Sequence, residues 1–134
     1  MTRAVTIEKT GGPEVLQVKN IKLEKPGPEE VMIEHKAIGL NYIDTYHRSG
    51  LYPIQLPSGI GAEASGVIKE VGQQVKDFTI GDRVCYAGAP LGSYSSERNY
   101  PTKNLVKIPK EIDFDIAATL MTKGLTTFYL LHKT

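Results

Sequence analysis

Residues 57–72 read Pro-Ser-Gly-Ile-Gly-Ala-Glu-Ala-Ser-Gly-Val-Ile-Lys-Glu-Val-Gly, and the stretch changes character halfway along. Its first half combines glycines, a proline and small residues, which suits backbone that turns tightly or passes close to another group. Its second half, residues 66–72, places Val67, Ile68 and Val71 among β-favouring neighbours and ends on a glycine. The stretch therefore predicts a tight turn that leads into a strand of a sheet.

One carboxylate, Glu63, lies among the small residues of this stretch, and the simplest interpretation is a turn residue paired with a basic side chain. Residues 59–64 also match G-x-G-x-x-A, the pattern of a dinucleotide-binding loop. That loop needs a strand before it and a helix after it, so that a pyrophosphate meets free N–H groups at the start of the helix. Here a proline-containing segment precedes the match and a strand-like run follows it, so the pattern does not indicate a nucleotide loop.

Composition limits the classes of protein to which the chain can belong. The 134 residues are enough for one domain. The 16 basic and 15 acidic side chains are scattered along the sequence and give a net charge of +1. This balance favours neither nucleic-acid binding nor attraction to an anionic membrane. The single cysteine, Cys85, cannot form an internal disulfide, which predicts a small core residue in a reducing cytoplasm. No apolar run approaches ~18 residues, so no membrane insertion is expected.

At least seven short segments have the composition of strands, with turn signals between them. They are residues 3–7, 15–23, 31–37, 66–72, 84–87, 94–100 and 105–108. Many short strands in succession favour a curled, partly open barrel over alternating strands and helices. The expected fold class is therefore mainly β with a few short helices. In the third segment His35 shares a face with Val31 and Ile33, where a histidine is more often a hydrogen-bonded core residue than a ligand.

The sequence predicts a short helix over residues 42–49. Asn41, followed by Asp44 three positions later, resembles an N-cap with an acidic residue in the first turn, and Gly50 ends the helix. Tyr42, Tyr46 and Tyr52 lie close together in this part of the chain. Such tyrosines are ordinarily core residues with satisfied hydroxyls, but several beside a helix start and a glycine-rich turn could line a pocket.

The last part of the chain changes from strands to helices. Asp113 is placed to cap a helix over residues 114–119. Leu125, Phe128, Tyr129 and His132 then fall on one face of a second helix that runs to Thr134. An apolar face on a helix without a stop signal predicts that a partner or further chain covers it.

In six matching strings the sequence resembles, over essentially its whole length, the N-terminal catalytic domain of the medium-chain dehydrogenase/reductase superfamily, most closely its NADPH:quinone oxidoreductase branch. The strings are residues 11–16 (GGPEVL), 37–46 (AIGLNYIDTY), 48–53 (RSGLYP), 61–67 (GAEASGV), 81–84 (GDRV) and 123–126 (KGLT). The resemblance implies a GroES-like, partly open β-barrel at residues 1–121. Residues 122–134 would then begin the connecting helix toward a Rossmann domain that is missing from this sequence.

The resemblance also predicts that the site holds no metal. Zinc alcohol dehydrogenases of the superfamily carry a cysteine where this chain has Asn41 and a histidine where it has Ala62, beside the matching Glu63. An amide and a methyl group cannot replace a thiolate and an imidazole at Zn²⁺. With one cysteine in the chain, no cysteine cluster is available for a structural zinc either.

Without a metal, hydrogen-bond donors must polarise the oxygen of the acceptor, and Asn41, Tyr46 and Tyr52 are the donors in the matching segments. By resemblance, the same region and the last helix would contact NADPH. The implied cofactor-binding residues are Asn41, Tyr42, Ile43, Asp44, Thr45, Tyr46, Lys123, Thr126 and Tyr129.

The leading hypothesis is the N-terminal half of an NADPH-dependent quinone oxidoreductase, inactive without its Rossmann domain and homodimeric when intact. Its electron acceptor would be a quinone or another small molecule. A non-catalytic GroES-like interaction module and a zinc-free enoyl or alkenal reductase are the two alternatives. A Rossmann sequence directly downstream of Thr134 would distinguish half an enzyme from a module.

Overall fold

The computed structural model describes residues 1–133, and the strands in that range form two antiparallel sheets. One sheet has the strand order β2-β1-β4, and the other has the order β7-β3-β5-β6-β8. The strands are β1 (Thr2–Ile7), β2 (Gln17–Ile21), β3 (Glu30–Gly39), β4 (Ser58–Gly59), β5 (Glu63–Val71), β6 (Arg83–Ala87), β7 (Glu97–Pro101) and β8 (Leu105–Lys107). Ala4 forms an isolated bridge with Ser95 that joins the sheets at one side. The expected fold, mainly β and partly open, is confirmed.

All seven predicted strands are present, with bounds that differ from the prediction by one to three residues. The strand expected at residues 15–23 is confined to β2, Gln17–Ile21, because Val15 belongs to a 3₁₀ turn, Pro13–Val15. The strand expected at residues 66–72 is β5, which begins earlier, at Glu63, because Glu63 pairs with Gly39 of β3 and with Ala87 of β6. The strand expected at 94–100 is confined to β7, Glu97–Pro101. The start of β5 therefore lies inside the larger sheet, and the last two residues of the G-x-G-x-x-A match already belong to this strand and not to a helix.

The main core lies against the central strands β3 and β5. Val31, Ile33, Ile68 and Val84 are fully buried there, and full burial of such side chains stabilises a protein by about 1.5–3 kcal/mol each. The ring of Tyr86 stacks on that of Tyr100 with centroids 3.9 Å apart. This packing fixes the sheet on which the site residues are placed.

His35 lies at the polar edge of this core, as the sequence predicts. Its Nδ1 lies 2.7 Å from the carbonyl oxygen of Ser95, so Nδ1 carries the proton, and its Nε2 lies 2.9 Å from the Tyr86 hydroxyl. The Arg98 guanidinium also bonds the Tyr86 hydroxyl, at 3.4 Å. Burial, and secondarily the charge of Arg98, lower the pKa of His35 to about 4 although the Ser95 carbonyl opposes the shift.

Three α-helices, a π-helical turn and two 3₁₀ turns (Pro13–Val15 and Thr102–Asn104) complete the regular structure of residues 1–133. The helix α1 (Ile43–Ser49) follows β3 and ends at Gly50, whose φ of 86° suits glycine. Near the C-terminus α2 (Phe114–Thr119), a π-helical turn (Leu120–Gly124) and α3 (Leu125–His132) follow one another directly. The three helices therefore lie where the sequence predicts them, but α3 ends at His132, and Thr134, the predicted end, lies outside the described residues. Asp113 is the N-cap residue of α2, yet its side chain makes no capping hydrogen bond. The sequence pattern does not reveal the π-helical turn.

A close approach of α2 to β3 depends on Gly39. A Cβ atom at this position would lie 2.2 Å from the carbonyl oxygen of Ala118 and 2.9 Å from Oε2 of Glu63. Since real Cβ atoms do not approach backbone oxygen so closely, glycine lets α2 pack against the end of β3. Ala117 and Ala118 of α2 are accordingly buried.

In contrast, none of the residues of α3 described by the structure is buried. Its large apolar side chains are exposed, namely Leu125, Phe128, Tyr129, Leu130 and Leu131. The apolar face that the sequence predicts is thus part of a helix that is apolar and exposed on more than one side. Within residues 1–133, every helix is too short or too polar to cross a bilayer.

The low pKa of His35 predicts a pH-dependent stability. Above pH 6.5 the imidazole is neutral in both states, whereas between 6.5 and about 4 the unfolded chain binds a proton that the folded chain does not. The free energy of unfolding should therefore fall by about 2 kcal/mol as the pH decreases through this window. Urea denaturation of the chain at a series of pH values measures it.

The substitution His35→Gln should remove most of this slope, because glutamine has no titrating proton. His132→Gln, at an exposed histidine of α3, is the matched control and should keep the slope. An equal slope in the His35→Gln variant would show that another group controls the acid sensitivity.

Candidate functional site

The buried carboxylate of Glu63 lies where β3, β5 and the π-helical turn meet. The side chain is 0% exposed. Its Oε2 accepts a hydrogen bond from the Asn41 amide Nδ2 at 2.7 Å, and its Oε1 accepts one from the backbone N–H of Thr122 at 2.8 Å. A buried charge is costly unless hydrogen bonds replace its hydration, and here each oxygen has a donor.

The amide of Asn41 continues this network toward the surface. Asn41 is 8% exposed, and its Oδ1 accepts a hydrogen bond from the ammonium group of Lys123 at 2.9 Å. The same ammonium donates to the carbonyl oxygen of Leu40 at 3.1 Å. Glu63, Asn41 and Lys123 thus form a chain of hydrogen bonds from the interior to an exposed cation, which we call the Glu63 network.

Two predictions about these residues are wrong. The side chain of Asn41 does not cap α1, because both of its polar atoms belong to the Glu63 network; instead, Oδ2 of Asp44 accepts a hydrogen bond from the Asn41 N–H at 3.0 Å. Glu63 does not pair with a basic side chain, because its partners are an amide and a backbone N–H. The cation of the network, Lys123, bonds the far side of that amide.

The donor set at this position is a poor one for a metal. The side chain of Ala62 offers no ligand atom, and the amide oxygen of Asn41 already faces an ammonium 2.9 Å away. A divalent cation placed there would be repelled by Lys123. Within residues 1–133, no group of three His, Cys, Asp or Glu side chains is arranged to hold a metal ion.

Three tyrosines form a cluster of rings on and after α1. The ring centroids of Tyr42 and Tyr46 are 5.3 Å apart, and those of Tyr46 and Tyr52 are 5.1 Å apart. Tyr42 is 75% and Tyr52 is 48% exposed. Their phenol oxygens have no hydrogen-bond partner in the part of the chain that the structure describes. The structure therefore brings these tyrosines together and leaves their hydroxyls able to donate to a bound molecule.

A cavity of about 320 Å³ lies beside the tyrosine cluster, in the size range of small-molecule sites. Asp44, which is 4% exposed, lies in its wall and accepts a hydrogen bond from the Tyr94 hydroxyl at 2.8 Å. Burial and this carboxylate raise the pKa of Tyr94. The cavity is lined by Leu16, Leu40, Asn41, Tyr42, Asp44, Thr45, Arg48, Ile60 and Tyr94.

The predicted site residues divide between these features. Asn41, Tyr42, Asp44 and Thr45 line the cavity, whereas Tyr46 and Tyr52 belong to the ring cluster and do not line it. The side chain of Ile43 is partly exposed. Of the residues predicted near the C-terminus, Lys123 joins Asn41, whereas Thr126 donates to the Thr122 carbonyl and Tyr129 is exposed on α3.

Sequence reasoning missed two participants, Thr122 and Tyr94. Thr122 contributes a backbone N–H, which no residue pattern displays, and it does so from the π-helical turn. Tyr94 lies in a loop, 50 positions after Asp44 in the chain, and no local spacing connects the two. Both contacts arise only from the tertiary fold.

The chain is similar to known proteins both in sequence and in structure. A family model described as the alcohol dehydrogenase GroES-like domain matches residues 27–110. The chain is 50% identical to a quinone oxidoreductase of Pseudomonas aeruginosa and 46% identical to a 2-haloacrylate reductase of Burkholderia sp, in each case over 100% of this chain and 42% of the relative. A crystal structure of Escherichia coli quinone oxidoreductase complexed with NADPH matches with a TM-score of 0.94 and 48% identity, over 99% of this chain and 41% of that chain. This chain thus spans about two fifths of the length of these relatives.

The Glu63 network predicts a large effect of a small substitution. In a Glu63→Gln variant one carboxylate oxygen becomes an NH₂ group, which faces an N–H donor instead of accepting from it. We expect the free energy of unfolding to fall by about 2–3 kcal/mol, because a charge-assisted bond is lost and a buried donor is left unpaired. Urea denaturation at neutral pH measures the change.

Glu70→Gln is the matched control, since Glu70 is exposed on the same strand. Its effect should stay within about 0.5 kcal/mol. Equal effects of the two substitutions would contradict the importance of the Glu63 hydrogen bonds.

Proposed function

The chain belongs to the alcohol dehydrogenase GroES-like domain family, and we propose that it is the substrate-side part of an NADPH-dependent quinone oxidoreductase that works without zinc. The observation that carries the proposal is the Glu63 network beside the tyrosine cluster: Asn41, which by resemblance replaces a zinc ligand, is instead bonded to a carboxylate on one side and to an ammonium on the other. The quinone oxidoreductases of Pseudomonas aeruginosa and Escherichia coli, both close in sequence, support it.

The described residues fit one side of a bound NADPH. The exposed ring of Tyr42 and the half-buried ring of Tyr46 offer apolar surface to a planar ring, and their hydroxyls offer donors. We propose residues 41–46 together with Lys123, Thr126 and Tyr129 as the contacts on this side. NADPH, when bound, supplies the hydride, and the protein supplies placement and electrostatics.

The quinone oxygen that gains negative charge must be met by donors. We propose that the Tyr46 and Tyr52 hydroxyls and the second N–H of the Asn41 amide provide them, since the other Asn41 N–H is held by Glu63. Donors fixed before the reaction stabilise charge without reorganising, which is the usual source of the largest rate effect. The exposed tyrosines need a covering domain to exclude water, and residues 122–134 would begin the helix that leads to it.

The setting and assembly of the protein are part of the proposal. Cys85 is buried, and burial together with the charge of Glu63 raises the pKa of its thiol, which suits an inert core residue in a reducing cytoplasm. The homodimer expected of the complete protein follows from the family resemblance and can be checked by sedimentation.

A second candidate reaction is the reduction of an activated carbon–carbon double bond. The 46% identity to a 2-haloacrylate reductase favours it, and an enoyl or alkenal reductase would need the same donors at a carbonyl oxygen. A panel of quinones, enones and 2-haloacrylates separates the two reactions by their kcat/KM values. A non-catalytic module is the third possibility, which a lack of NADPH oxidation with every acceptor would favour.

The proposal predicts the effect of removing single hydroxyls. The test uses the complete protein, meaning this chain with the downstream sequence that its gene encodes or, if it encodes none, with the corresponding part of the Escherichia coli relative. Tyr46→Phe and Tyr52→Phe should each lower kcat for quinone-dependent NADPH oxidation about tenfold or more, because a donor to the charged oxygen is lost. Absorbance of NADPH during turnover gives the rate.

Ser49→Ala removes a hydroxyl from the same helix, where it bonds only the Tyr46 carbonyl, and should leave kcat unchanged. Unchanged kcat in both tyrosine variants would remove these hydroxyls from the mechanism. If the complete wild-type protein oxidised NADPH with none of the acceptors, the proposed function itself would be wrong.

A further inference from the structure

We propose that the Lys123 ammonium is a catalytic group that stabilises the negative charge on the acceptor oxygen, and that Glu63 positions it. This inference rests on the proposed function, and it adds a cation to donors that are otherwise neutral. It starts from one observation: the ammonium lies 2.9 Å from the amide oxygen of Asn41, the residue that by resemblance stands where zinc alcohol dehydrogenases carry a cysteine ligand.

The number of donors on Lys123 supports this role. An ammonium has three N–H groups. Two of them are bonded, one to the carbonyl oxygen of Leu40 and one to Oδ1 of Asn41. The third has no partner among residues 1–133, so it is available to an oxygen that binds beside Asn41. A lysine tethered by two bonds has also lost much of the side-chain freedom that binding would otherwise cost.

Glu63 is connected to Lys123 in two ways, through the backbone next to the lysine and through the amide that bonds its ammonium group. Its Oε1 holds the backbone N–H of Thr122, the residue before Lys123, and its Oε2 holds the amide that bonds the ammonium. Because Glu63 is 0% exposed and accepts from both, any movement of the π-helical turn would break a charge-assisted hydrogen bond. π-Helical turns within helices often occur at functional sites. Glu63 is therefore a positioning residue that acts through Asn41 and Thr122.

The proposed role of the Lys123 ammonium is to stabilise the anionic quinone oxygen that forms on hydride transfer. The quinone receives a hydride, which is two electrons and one proton, from the reduced nicotinamide, and one quinone oxygen then carries a full negative charge. That oxygen takes one proton from solvent, so the products are the hydroquinone and the oxidised cofactor. Until the proton arrives, an ammonium N–H stabilises the anionic oxygen more than a neutral donor does, because charge-assisted hydrogen bonds are about twice as strong.

The test uses the complete protein with its oxidised cofactor and 4-nitrophenolate as a stable mimic of the anionic oxygen. The change in its visible absorption gives the Kd, a measurement that needs no turnover. Lys123→Met, which keeps chain length but removes the charge, should weaken phenolate binding about tenfold and lower kcat by a similar factor. Lys123→Arg should restore part of both, since it returns the charge without the same geometry.

Lys110→Met is the control, because Lys110 is an exposed lysine in the loop between β8 and α2 and should change neither quantity. Suppose that the wild type and Lys110→Met reduce quinones. If Lys123→Met then has the same kcat and the same phenolate Kd, the inference is wrong while the proposed function stands. If the wild type does not reduce quinones, the proposed function fails. In that case tight phenolate binding that depends on Lys123 would still support the cationic site, and binding independent of Lys123 would overturn it.

The positioning role of Glu63 is tested with a double-mutant cycle. In the wild-type background, Glu63→Gln should weaken phenolate binding several-fold, whereas in the Lys123→Met background it should have no further effect, because the group it positions is gone. A circular dichroism spectrum and a melting curve establish that each variant is folded under the assay conditions. Equal effects in the two backgrounds would show that Glu63 supports the fold without acting through Lys123.

Discussion

A carboxylate without access to water must take all of its hydrogen bonds from the protein, and this requirement on Glu63 organises the site. Its donors come from two places far apart in sequence, Asn41 in the short link between β3 and α1, and the π-helical turn after α2. Gly39 permits the approach, since a side chain there would collide with both Ala118 and Glu63. The end of β3, the π-helical turn and the exposed lysine are therefore positioned by one buried carboxylate.

The sequence predicted the strands, the helices and the family, because these depend on local composition and on strings of neighbouring residues. Period-two alternation in β3 and the Gly50 stop of α1 are such local signals. The partners of Glu63 and Asn41 could not be predicted, because capping and ion pairing were the commonest local solutions and tertiary contacts replaced both. Asn41 has the chemistry of an N-cap, yet the buried carboxylate binds its amide, and Asp44 satisfies the backbone N–H instead. The bond from Asn41 to Glu63 forms in preference to the N-cap bond because a buried carboxylate without a hydrogen-bond donor would cost more free energy than a helix N-terminus without a side-chain cap.

Tertiary contacts also explain why the sequence predicts only part of the grouping of the site residues. Spacing placed Tyr42, Tyr46 and Tyr52 together, and their rings do form one cluster. It could not show that the two sides of α1 face different surroundings, with Asp44 and Tyr94 in the wall of a cavity and Tyr46 against Tyr52. A helix of seven residues carries both sets, so a small rotation of α1 would move them together. The Asp44 bonds to Tyr94 and to the N–H of Asn41 resist that rotation.

A site built from donors and one cation differs physically from a metal site in what holds it together. A metal ion draws its ligands inward and organises them itself, whereas Lys123, Asn41 and the tyrosines must be held in position by the fold. Here the fold does so with a fully buried carboxylate and a helix that departs from regular geometry, two features that are unfavourable on their own. Proteins keep such locally unfavourable choices where they serve function. If Lys123 has the role proposed above, the hydrogen bonds of Glu63 are the means by which the fold holds that charge in place.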